Sequence, residues 1–213
     1  MAGKLITIEG TDGAGKTTQA RLLGSHLAQA GYELVVTREP GGTPVGESLR
    51  GLLLRPETGM IEPVTEALLY AAARAQHVAE VIHPALAAGK LVICDRFTDS
   101  SIAYQGYGRG LDPALVQTVN NWATGNLVPD LTILLDQTAE NGLTRIQQQQ
   151  VGHFVPDRLE REEIDFHQNV RRGFLTLART HPERIKIIAA NAPVEVVFQM
   201  ICAEVHRFLE RVA

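Results

Sequence analysis

The stretch Gly10-Thr11-Asp12-Gly13-Ala14-Gly15-Lys16-Thr17-Thr18 matches the pattern G-x-x-x-x-G-K-[ST] of a phosphate-binding loop. The apolar run Leu5-Ile6-Thr7-Ile8 before it is typical of a β-strand, and a helical pattern begins at Lys16. Glycines let the backbone turn its N–H groups towards an anion, and the N-terminus of a helix adds partial positive charge. The order strand, loop, helix therefore predicts a nucleoside triphosphate site and not a glycine-rich turn without a ligand.

Two side chains of this loop are candidates to contact the triphosphate or its metal ion directly. Lys16 is expected to reach the β- and γ-phosphates, and the hydroxyl of Thr17 is expected to bind Mg²⁺. The whole of residues 10–18 is the candidate nucleotide-binding loop. The motif does not indicate what the phosphate is used for, and that has to come from the rest of the chain.

Composition and charge favour one cytoplasmic domain over residues 1–213, with a hydrophobic content of 45% that is enough for a core. A net charge of −4 argues against nucleic-acid binding. No apolar run reaches membrane-spanning length or has the pattern of a signal peptide, which argues against a membrane partner. Cys94 and Cys202 are expected to be apolar thiols, and neither they nor the histidines have the spacing of a structural metal site.

Strand and helix patterns alternate along the chain. This alternation predicts an α/β fold of the P-loop NTPase type, with three layers: a five-stranded parallel sheet and helices on both of its faces. The polar stretch 151–157 interrupts the pattern and predicts a short mobile lid at about 142–158. The predicted strands are 3–9, 33–37, 90–94, 131–136 and 184–190, and the predicted helices are 15–31, 45–55, 63–88, 98–105, 112–124, 138–149, 158–180 and 193–211.

Charged residues follow several of these strands directly. Arg38-Glu39 follows the second strand, Asp95-Arg96 the third, and Asp136 ends the fourth. Because the carboxyl ends of parallel strands meet at one edge, we expect these side chains beside the phosphate-binding loop. Arg38, Arg50 and Arg96 predict a second anion site facing the γ-phosphate, although each arginine alone could equally form a surface ion pair.

The acids at the strand ends favour a kinase over a GTPase, because the sequence has neither a D-x-x-G switch nor an N-K-x-D base reader. Asp95 can hold a Mg²⁺-bound water, and Arg96 can bind the phosphate of an acceptor bidentately. No H-R-D-type loop supplies a general base. A phosphate monoester needs none, since it is already largely anionic at neutral pH, with a second pKa near about 6.

Helical spacing predicts a pocket for a pyrimidine base. Tyr70 and Arg74 are separated by four residues and share a helix face, as do Ser101 and Gln105, with Tyr104 beside them. A ring, a guanidinium, an amide and a hydroxyl could together recognise the edge of such a base. The spacing alone is more typical of an aromatic side chain in the core with an arginine at its rim.

The sequence resembles the bacterial thymidylate kinase family over essentially its whole length. The stretches T-R-E-P-G-G-T-P at 37–44 and D-R-F-T-D-S-S at 95–101 carry the resemblance most specifically, and residues 9–18, 71–74, 103–106 and 129–132 extend it. The resemblance implies transfer of a phosphate from ATP to dTMP, giving ADP and dTDP, with Mg²⁺ as cofactor. It also implies a homodimer, for which the apolar helix 63–88 is a candidate interface unless it is buried within the chain.

The resemblance also implies roles for single residues. Asp12 would lie near the 3′-hydroxyl of the acceptor sugar, and Glu39 and Asp95 would lie near the metal. Tyr70 would stack on thymine, where the family usually has phenylalanine, and Tyr104 would crowd a ribose 2′-hydroxyl. The other implied contacts are Arg38, Arg50 and Arg96 with the acceptor phosphate, Arg74 with the thymine carbonyl, and Ser101 and Gln105 with the rest of the base edge.

One departure from the family pattern concerns Gly13, where some relatives carry a catalytic arginine. The resemblance then moves the charge that stabilises the transition state to the lid, which has few arginines here. Arg158 is the preferred candidate, with Arg161 behind it, while Arg145 is implied to stack on adenine. Glutamines occupy 147–150, which we interpret as a solvated helix end.

Two other functions remain open from the sequence. The first is a kinase on the same fold that phosphorylates a different nucleotide or an alcohol. The second, from another class, is a non-catalytic sensor that uses ATP to order its lid. Measuring whether the protein phosphorylates dTMP distinguishes both of these functions from a thymidylate kinase activity.

Overall fold

Five parallel strands form one sheet in the order β2-β3-β1-β4-β5. The computed structural model describes residues 3–148 and 156–212. The strand that leads into the phosphate-binding loop lies at the centre, paired with β3 on one side and β4 on the other. The prediction of a five-stranded parallel sheet is therefore confirmed. The strands are β1 (Lys4–Gly10), β2 (Leu34–Arg38), β3 (Leu91–Asp95), β4 (Leu131–Asp136) and β5 (Ile185–Ala189).

Helices cover both faces of the sheet, as a parallel sheet requires. On one face, Ile6 and Ile8 pack with Leu23 and Val205. On the other face lie two further apolar clusters, one around Leu5 and one under the helix that contains Phe174. The helices are α1 (Lys16–Gln29), α2 (Pro44–Leu54), α3 (Pro63–His77), α4 (His83–Ala87), α5 (Thr98–Ser101), α6 (Pro113–Thr124), α7 (Ala139–Gln148), α8 (Ile164–Thr180) and α9 (Val194–Val212).

Two predicted helices contain π-helical segments that the periodicity did not show. The helix predicted at 63–88 consists of α3, a π-helical segment Val78–Ile82, and α4. Pro84 lies at the start of α4 and has no N–H to donate, so regular i→i−4 bonding is interrupted there. The helix predicted at 98–105 is α5 followed by the π-helical segment Ile102–Gly108. Such segments are frequent at functional sites.

The helix predicted from residue 158 begins later, at Ile164. A carboxylate oxygen of Asp157 accepts the backbone N–H groups of Leu159 and Glu160, which holds the preceding residues in a turn. Asx turns of this kind compete with helix formation. By contrast, the predicted start of α6 is confirmed, because the side chain of Asp112 accepts the N–H of Ala114.

Part of the predicted lid lies outside the described residues. Residues 149–155 are not described, and they fall within its range of 142–158. Most of the polar stretch 151–157 and the end of the glutamine run at 147–150 also lie outside the described residues. The lid and the extent of a single domain over 1–213 therefore stay predictions. Over the described ranges, no helix is long and apolar enough to cross a membrane.

Candidate active site

The carboxyl ends of β1, β2 and β3 open into a cavity of about 710 Å³, a size typical of small-molecule sites. It is lined from one end by the phosphate-binding loop and from the other by α2, α3 and the 98–108 segment. The predicted residues that line it are Asp12, Gly13, Gly15, Lys16, Thr17, Thr18, Arg38, Glu39, Arg50, Tyr70, Arg74, Asp95, Arg96, Ser101, Tyr104 and Gln105. The other predicted residues, Gly10, Thr11, Ala14, Arg145 and Arg158, do not line it.

The phosphate-binding loop takes a conformation that needs glycine. Gly13 and Gly15 have φ of 74° and 87°, in the left-handed region that side chains disfavour. A Cβ atom on Gly13 would also overlap the backbone of Gly142 in α7, so this loop and α7 pack backbone to backbone. The missing arginine at this position thus has a steric reason: α7 occupies the space.

Lys16 is buried at the bottom of the loop, where its Nζ donates to the carbonyl oxygen of Thr11 at 2.8 Å. Burial, together with the nearby guanidinium of Arg96, lowers the pKa of Lys16 to about 8, although Asp12 and Asp95 oppose the shift. A phosphate group at this position would stabilise the charged ammonium, so the cation is suited to a phosphate ligand.

Thr17 and Asp95 form the candidate metal site. The Thr17 hydroxyl donates to Oδ2 of Asp95 at 2.5 Å. The other oxygen, Oδ1, is buried and has no hydrogen-bond partner among the described residues. A buried carboxylate oxygen without a donor needs a cation or water, and hard oxygen ligands suit Mg²⁺. The residues present therefore fit a Mg²⁺ ion or one of its bound waters.

Arg96, Asp12 and Tyr104 form a triangle of hydrogen bonds at the centre of the cavity. Nη2 of Arg96 donates to Asp12 at 2.5 Å and to the Tyr104 hydroxyl at 3.0 Å, and that hydroxyl donates to Asp12 at 2.7 Å. Burial would raise the pKa of Asp12, but Arg96 and Lys16 hold it below its ordinary value. The carboxyl group is therefore an anion facing the space next to the loop.

The remaining terminal N–H groups of Arg96 are also used. Nη1 donates to the carbonyl oxygen of Gly10 at 3.0 Å and to Ser100 at 3.1 Å, which leaves Nε for another ligand. To bind a phosphate through both Nε and Nη2, Arg96 must therefore share or exchange one of its two Nη2 hydrogen bonds. The guanidinium is held in place before any ligand arrives.

Glu9 fixes the backbone around Arg96. It is fully buried in β1 and accepts the Phe97 N–H at 2.7 Å and the Ser100 hydroxyl at 2.6 Å. Arg96 has φ of 70°, an unfavourable value for a side-chain-bearing residue, so its conformation needs such external support. Burial, together with nearby Asp99, raises the pKa of Glu9 to about 7.

Arg74 is almost wholly enclosed, with an exposed fraction of 2%. It donates to Glu39 at 2.7 Å, to Asn120 at 2.5 Å, to Ser101 at 2.9 Å and to the Phe97 carbonyl at 3.2 Å. A guanidinium has five N–H donors, so one remains for a ligand. The geometry fits the single base contact implied by the resemblance.

Glu39 is occupied by protein donors rather than exposed to a metal. Its Oε2 accepts from Arg74, and its Oε1 lies 3.0 Å from Nδ1 of His77. The other ring nitrogen of His77 lies 2.7 Å from the hydroxyl of Thr37. Cys94 lies near this pair, and burial raises the pKa of its thiol well above the ordinary value. The carboxylate therefore orients Arg74 in this structure.

Arg38 and Arg50 lie at the outer wall of the cavity. Arg38 donates to both oxygens of Glu47, at 2.9 and 3.0 Å, and Arg50 donates to the Pro40 carbonyl at 3.0 Å. Burial lowers the pKa of Arg50, and the neighbouring charge of Arg38 lowers it further. Two cations that repel each other are a favourable site for an anion.

Arg158 lies in an ion pair away from the cavity lining. Its Nη2 donates to the buried Glu66 at 2.5 Å, and its Nε donates to the Leu53 carbonyl at 2.9 Å. Arg145, on α7, is half-buried and also outside the lining. The predicted roles of both arginines stay predictions, and Arg158 would have to leave Glu66 to reach a phosphate.

A protein-family model described as "Thymidylate kinase" matches residues 8–201. The chain belongs to the thymidylate kinase family. Two relatives named "Thymidylate kinase" extend the match: one from Exiguobacterium sibiricum is 48% identical over 211 residues, covering 99% of this chain and 98% of the relative. One from Latilactobacillus sakei is 53% identical over 198 residues, covering 92% of each.

The fold is shared with a thymidylate kinase of known structure. The crystal structure of thymidylate kinase from Ehrlichia chaffeensis superposes with a TM-score of 0.78 and 34% identity, covering 96% of this chain and 99% of that one. The resemblance and the α/β fold predicted from the sequence are confirmed by these comparisons.

The sequence analysis missed several carboxylates of this thymidylate kinase-family site. Glu9 was visible as a charge inside an otherwise apolar strand, which is a signal for a buried functional group. Asp157 and Glu160 line the cavity, and burial raises the pKa of both carboxyl groups. Asp157 lies at the end of the predicted lid and Glu160 just after it, and no spacing rule in the sequence connects them to the loop at residues 10–18.

Proposed function

We propose that the chain transfers the γ-phosphate of ATP to dTMP, giving ADP and dTDP. The observation that carries this proposal is that the phosphate-binding loop shares one cavity with a second half lined by arginines and by Tyr70, Tyr104 and Gln105. Membership of the thymidylate kinase family supports the same reaction. A phosphoryl donor and a phosphoryl acceptor can therefore lie side by side in one enclosure.

The loop residues hold the donor. Lys16 neutralises charge on the β- and γ-phosphates, and the loop N–H groups surround them. Thr17 and Asp95 would hold Mg²⁺, which neutralises charge on the phosphates when it is bound. This assignment rests on the unpartnered Oδ1 of Asp95 beside the Thr17 hydroxyl.

Arg96 positions the acceptor phosphate, assisted by Arg38 and Arg50. A nucleoside monophosphate is largely a dianion at neutral pH, so its oxygen attacks without a general base. Positioning and charge neutralisation then supply most of the catalysis, as expected for a loose transition state. Asp12 accepts a hydrogen bond from the 3′-hydroxyl of the sugar, and we keep Arg158 as the candidate lid arginine and Arg145 as the adenine contact.

We infer that the part of the cavity around Tyr70, Arg74 and Gln105 selects a pyrimidine deoxynucleotide. The ring of Tyr70 offers a stacking surface, and the free N–H of Arg74 can donate to a carbonyl at C4 of the base. The ring of Tyr104 is fixed by Asp12 and Arg96, so it can crowd a 2′-hydroxyl. Ser101 and Gln105 complete the wall around the base.

Steady-state assays with dTMP, dUMP, dCMP and shikimate-type alcohols test this function. We expect dTMP to be the best acceptor. Transfer to an alcohol without dTMP turnover would support another P-loop kinase on the same fold. Tight ATP binding with no transfer to any monophosphate would support a non-catalytic sensor.

We further propose that the enzyme is a cytoplasmic homodimer that associates through α3 and α6. The exposed fractions of Leu68 on α3 and Trp122 on α6 are 51% and 88%. Val64 and Leu115 are also exposed on these two helices, which pack against each other. A group of large apolar side chains exposed on adjacent helices is typical of a protein interface.

Replacing Leu68 with glutamate is expected to separate the dimer. A buried unpaired charge at an apolar interface is costly, so the variant should sediment as one chain of 23.2 kDa, and the unmodified protein at about twice that mass. Val196→Glu, at an exposed valine of α9, is the matched control and should remain dimeric. Sedimentation of the unmodified protein as a monomer would contradict the proposal.

A further inference from the structure

Glu66, on α3, is fully buried beside the cavity without lining it. Its Oε1 accepts a hydrogen bond from Nε2 of Gln105 at 3.0 Å. Arg109 donates to the same carboxylate at 3.1 and 3.2 Å, and Arg158 donates at 2.5 Å. Two guanidinium groups thus donate to this one carboxylate, and a carboxylate in an ion pair only accepts hydrogen bonds.

The carboxylate decides which end of the Gln105 amide faces the cavity. An amide has a donor end and an acceptor end, and only the donor end can bind a carboxylate. Turning the amide over would place Oε1 against an anion and remove a charge-assisted hydrogen bond. Because Gln105 lines the cavity, its Oε1 is the end left to accept from a ligand.

Arg74 supplies the complementary half of the pattern. Its one remaining N–H is a donor, and Gln105 offers an acceptor, on the same side of the cavity. A pyrimidine with a carbonyl at C4 and a hydrogen on N3 matches this donor and acceptor pair. Cytosine presents the reverse, an amino group at C4 and an acceptor at N3.

We propose that Glu66 is a positioning residue that makes the enzyme select 4-oxo over 4-amino pyrimidine monophosphates. It acts through Gln105 and does not itself touch the substrate. This inference rests on the proposed function, because it concerns the acceptor in the same cavity. It assigns the discrimination between thymine and cytosine to a carboxylate outside the site.

The test compares Glu66→Gln with the unmodified enzyme and with Glu162→Gln. The glutamine at 66 can donate or accept, so the Gln105 amide becomes free to turn over. Glu162 binds Arg109 at 2.7 Å and is not a partner of Gln105 in the described contacts, so its variant removes a similar charge without freeing the amide. Values of kcat and KM for dTMP and dCMP are measured for all three proteins.

We expect Glu66→Gln to raise the ratio of kcat/KM for dCMP to that for dTMP by about tenfold or more, mainly through KM. Glu162→Gln should leave this ratio unchanged. A general loss of stability would lower both activities and not their ratio. An unchanged ratio in Glu66→Gln, with normal dTMP turnover by the unmodified enzyme, would overturn the role of Glu66 alone.

A second measurement covers the case in which Glu66→Gln does not fold. A crystal structure of the unmodified enzyme with dTMP should show the thymine N3 within hydrogen-bond distance of the Gln105 amide, and the contact between Gln105 and Glu66 intact. A thymine N3 beyond reach of Gln105 would overturn the inference. Failure of the unmodified enzyme to phosphorylate dTMP would instead contradict the proposed function.

Discussion

Replacing Arg96 with methionine is expected to reduce kcat/KM for dTMP by about 30- to 5,000-fold, which corresponds to about 2–5 kcal/mol of transition-state stabilisation. The guanidinium forms an ion pair with Asp12 and is held in the cavity wall by four hydrogen bonds. Its removal leaves the charge of the half-buried Asp12 without its ion-pair partner and the acceptor phosphate without its central contact. Methionine keeps much of the length of the side chain, so the loss measures hydrogen bonds and charge.

Arg171→Met is the matched control for this prediction. Arg171 forms a two-point ion pair with Asp136, at 2.7 and 2.9 Å, but it does not line the cavity. Its replacement should leave kcat/KM within about threefold of the unmodified value, because Arg171 lies outside the cavity. A partly exposed ion pair also contributes only about 1 kcal/mol or less to folding stability. Arg96→Lys should be intermediate, since lysine keeps the charge but loses the planar fork. Full activity in Arg96→Met would contradict the assigned site.

Lys16→Met is expected to reduce kcat by about 10²- to 10³-fold, the usual effect of removing one preorganised donor from a charged transition state. Steady-state kinetics with saturating dTMP measure it. The buried ammonium also predicts a pH effect on ATP binding. With a pKa of about 8 in the free protein, Lys16 loses its proton as the pH rises above 8.

The sign of this pH effect follows from linkage. Bound phosphates favour the protonated ammonium and raise its pKa, so ATP binding takes up a proton above pH 8. The dissociation constant for ATP should therefore rise about tenfold for each pH unit above 8. Titration calorimetry at pH 7, 8 and 9 measures it. Lys16→Arg, which stays charged, should show no such slope, and an equal slope in that variant would contradict the assignment to Lys16.

Local sequence patterns were enough to predict the frame of the site. The spacing of glycines, Lys16 and Thr17 encodes a backbone conformation, and the positive φ angles at Gly13 and Gly15 show why those residues are needed. The strand ends also predicted correctly that Arg38, Asp95 and Arg96 would face the same cavity. The same prediction was wrong for Asp136, which ends β4 but pairs with Arg171 and does not line the cavity. In each case the relevant constraint is short-range: a turn, a helix start, or the alternation of strand and helix.

Local sequence patterns could not predict which charged side chains form ion pairs with each other. Arg158 and Glu66 are 92 residues apart, and their ion pair exists because the end of the predicted lid packs against α2 and α3. The two oxygens of Glu39 are likewise taken by Arg74 and His77, which belong to another element. A guanidinium binds whichever carboxylate the fold brings nearest, and sequence separation carries no information about that distance.

The sequence by itself therefore determined the parallel sheet, the phosphate-binding loop and most of the side chains around it, because these depend on local conformation and on the shared direction of the strands. Only the tertiary structure decided how each side chain is used. It showed Gly13 pressed against Gly142, Glu9 holding the strained backbone at Arg96, and Glu66 fixing Gln105. These contacts join distant segments, and burial makes the hydrogen bonds of Glu9 and Glu66 strong and directional.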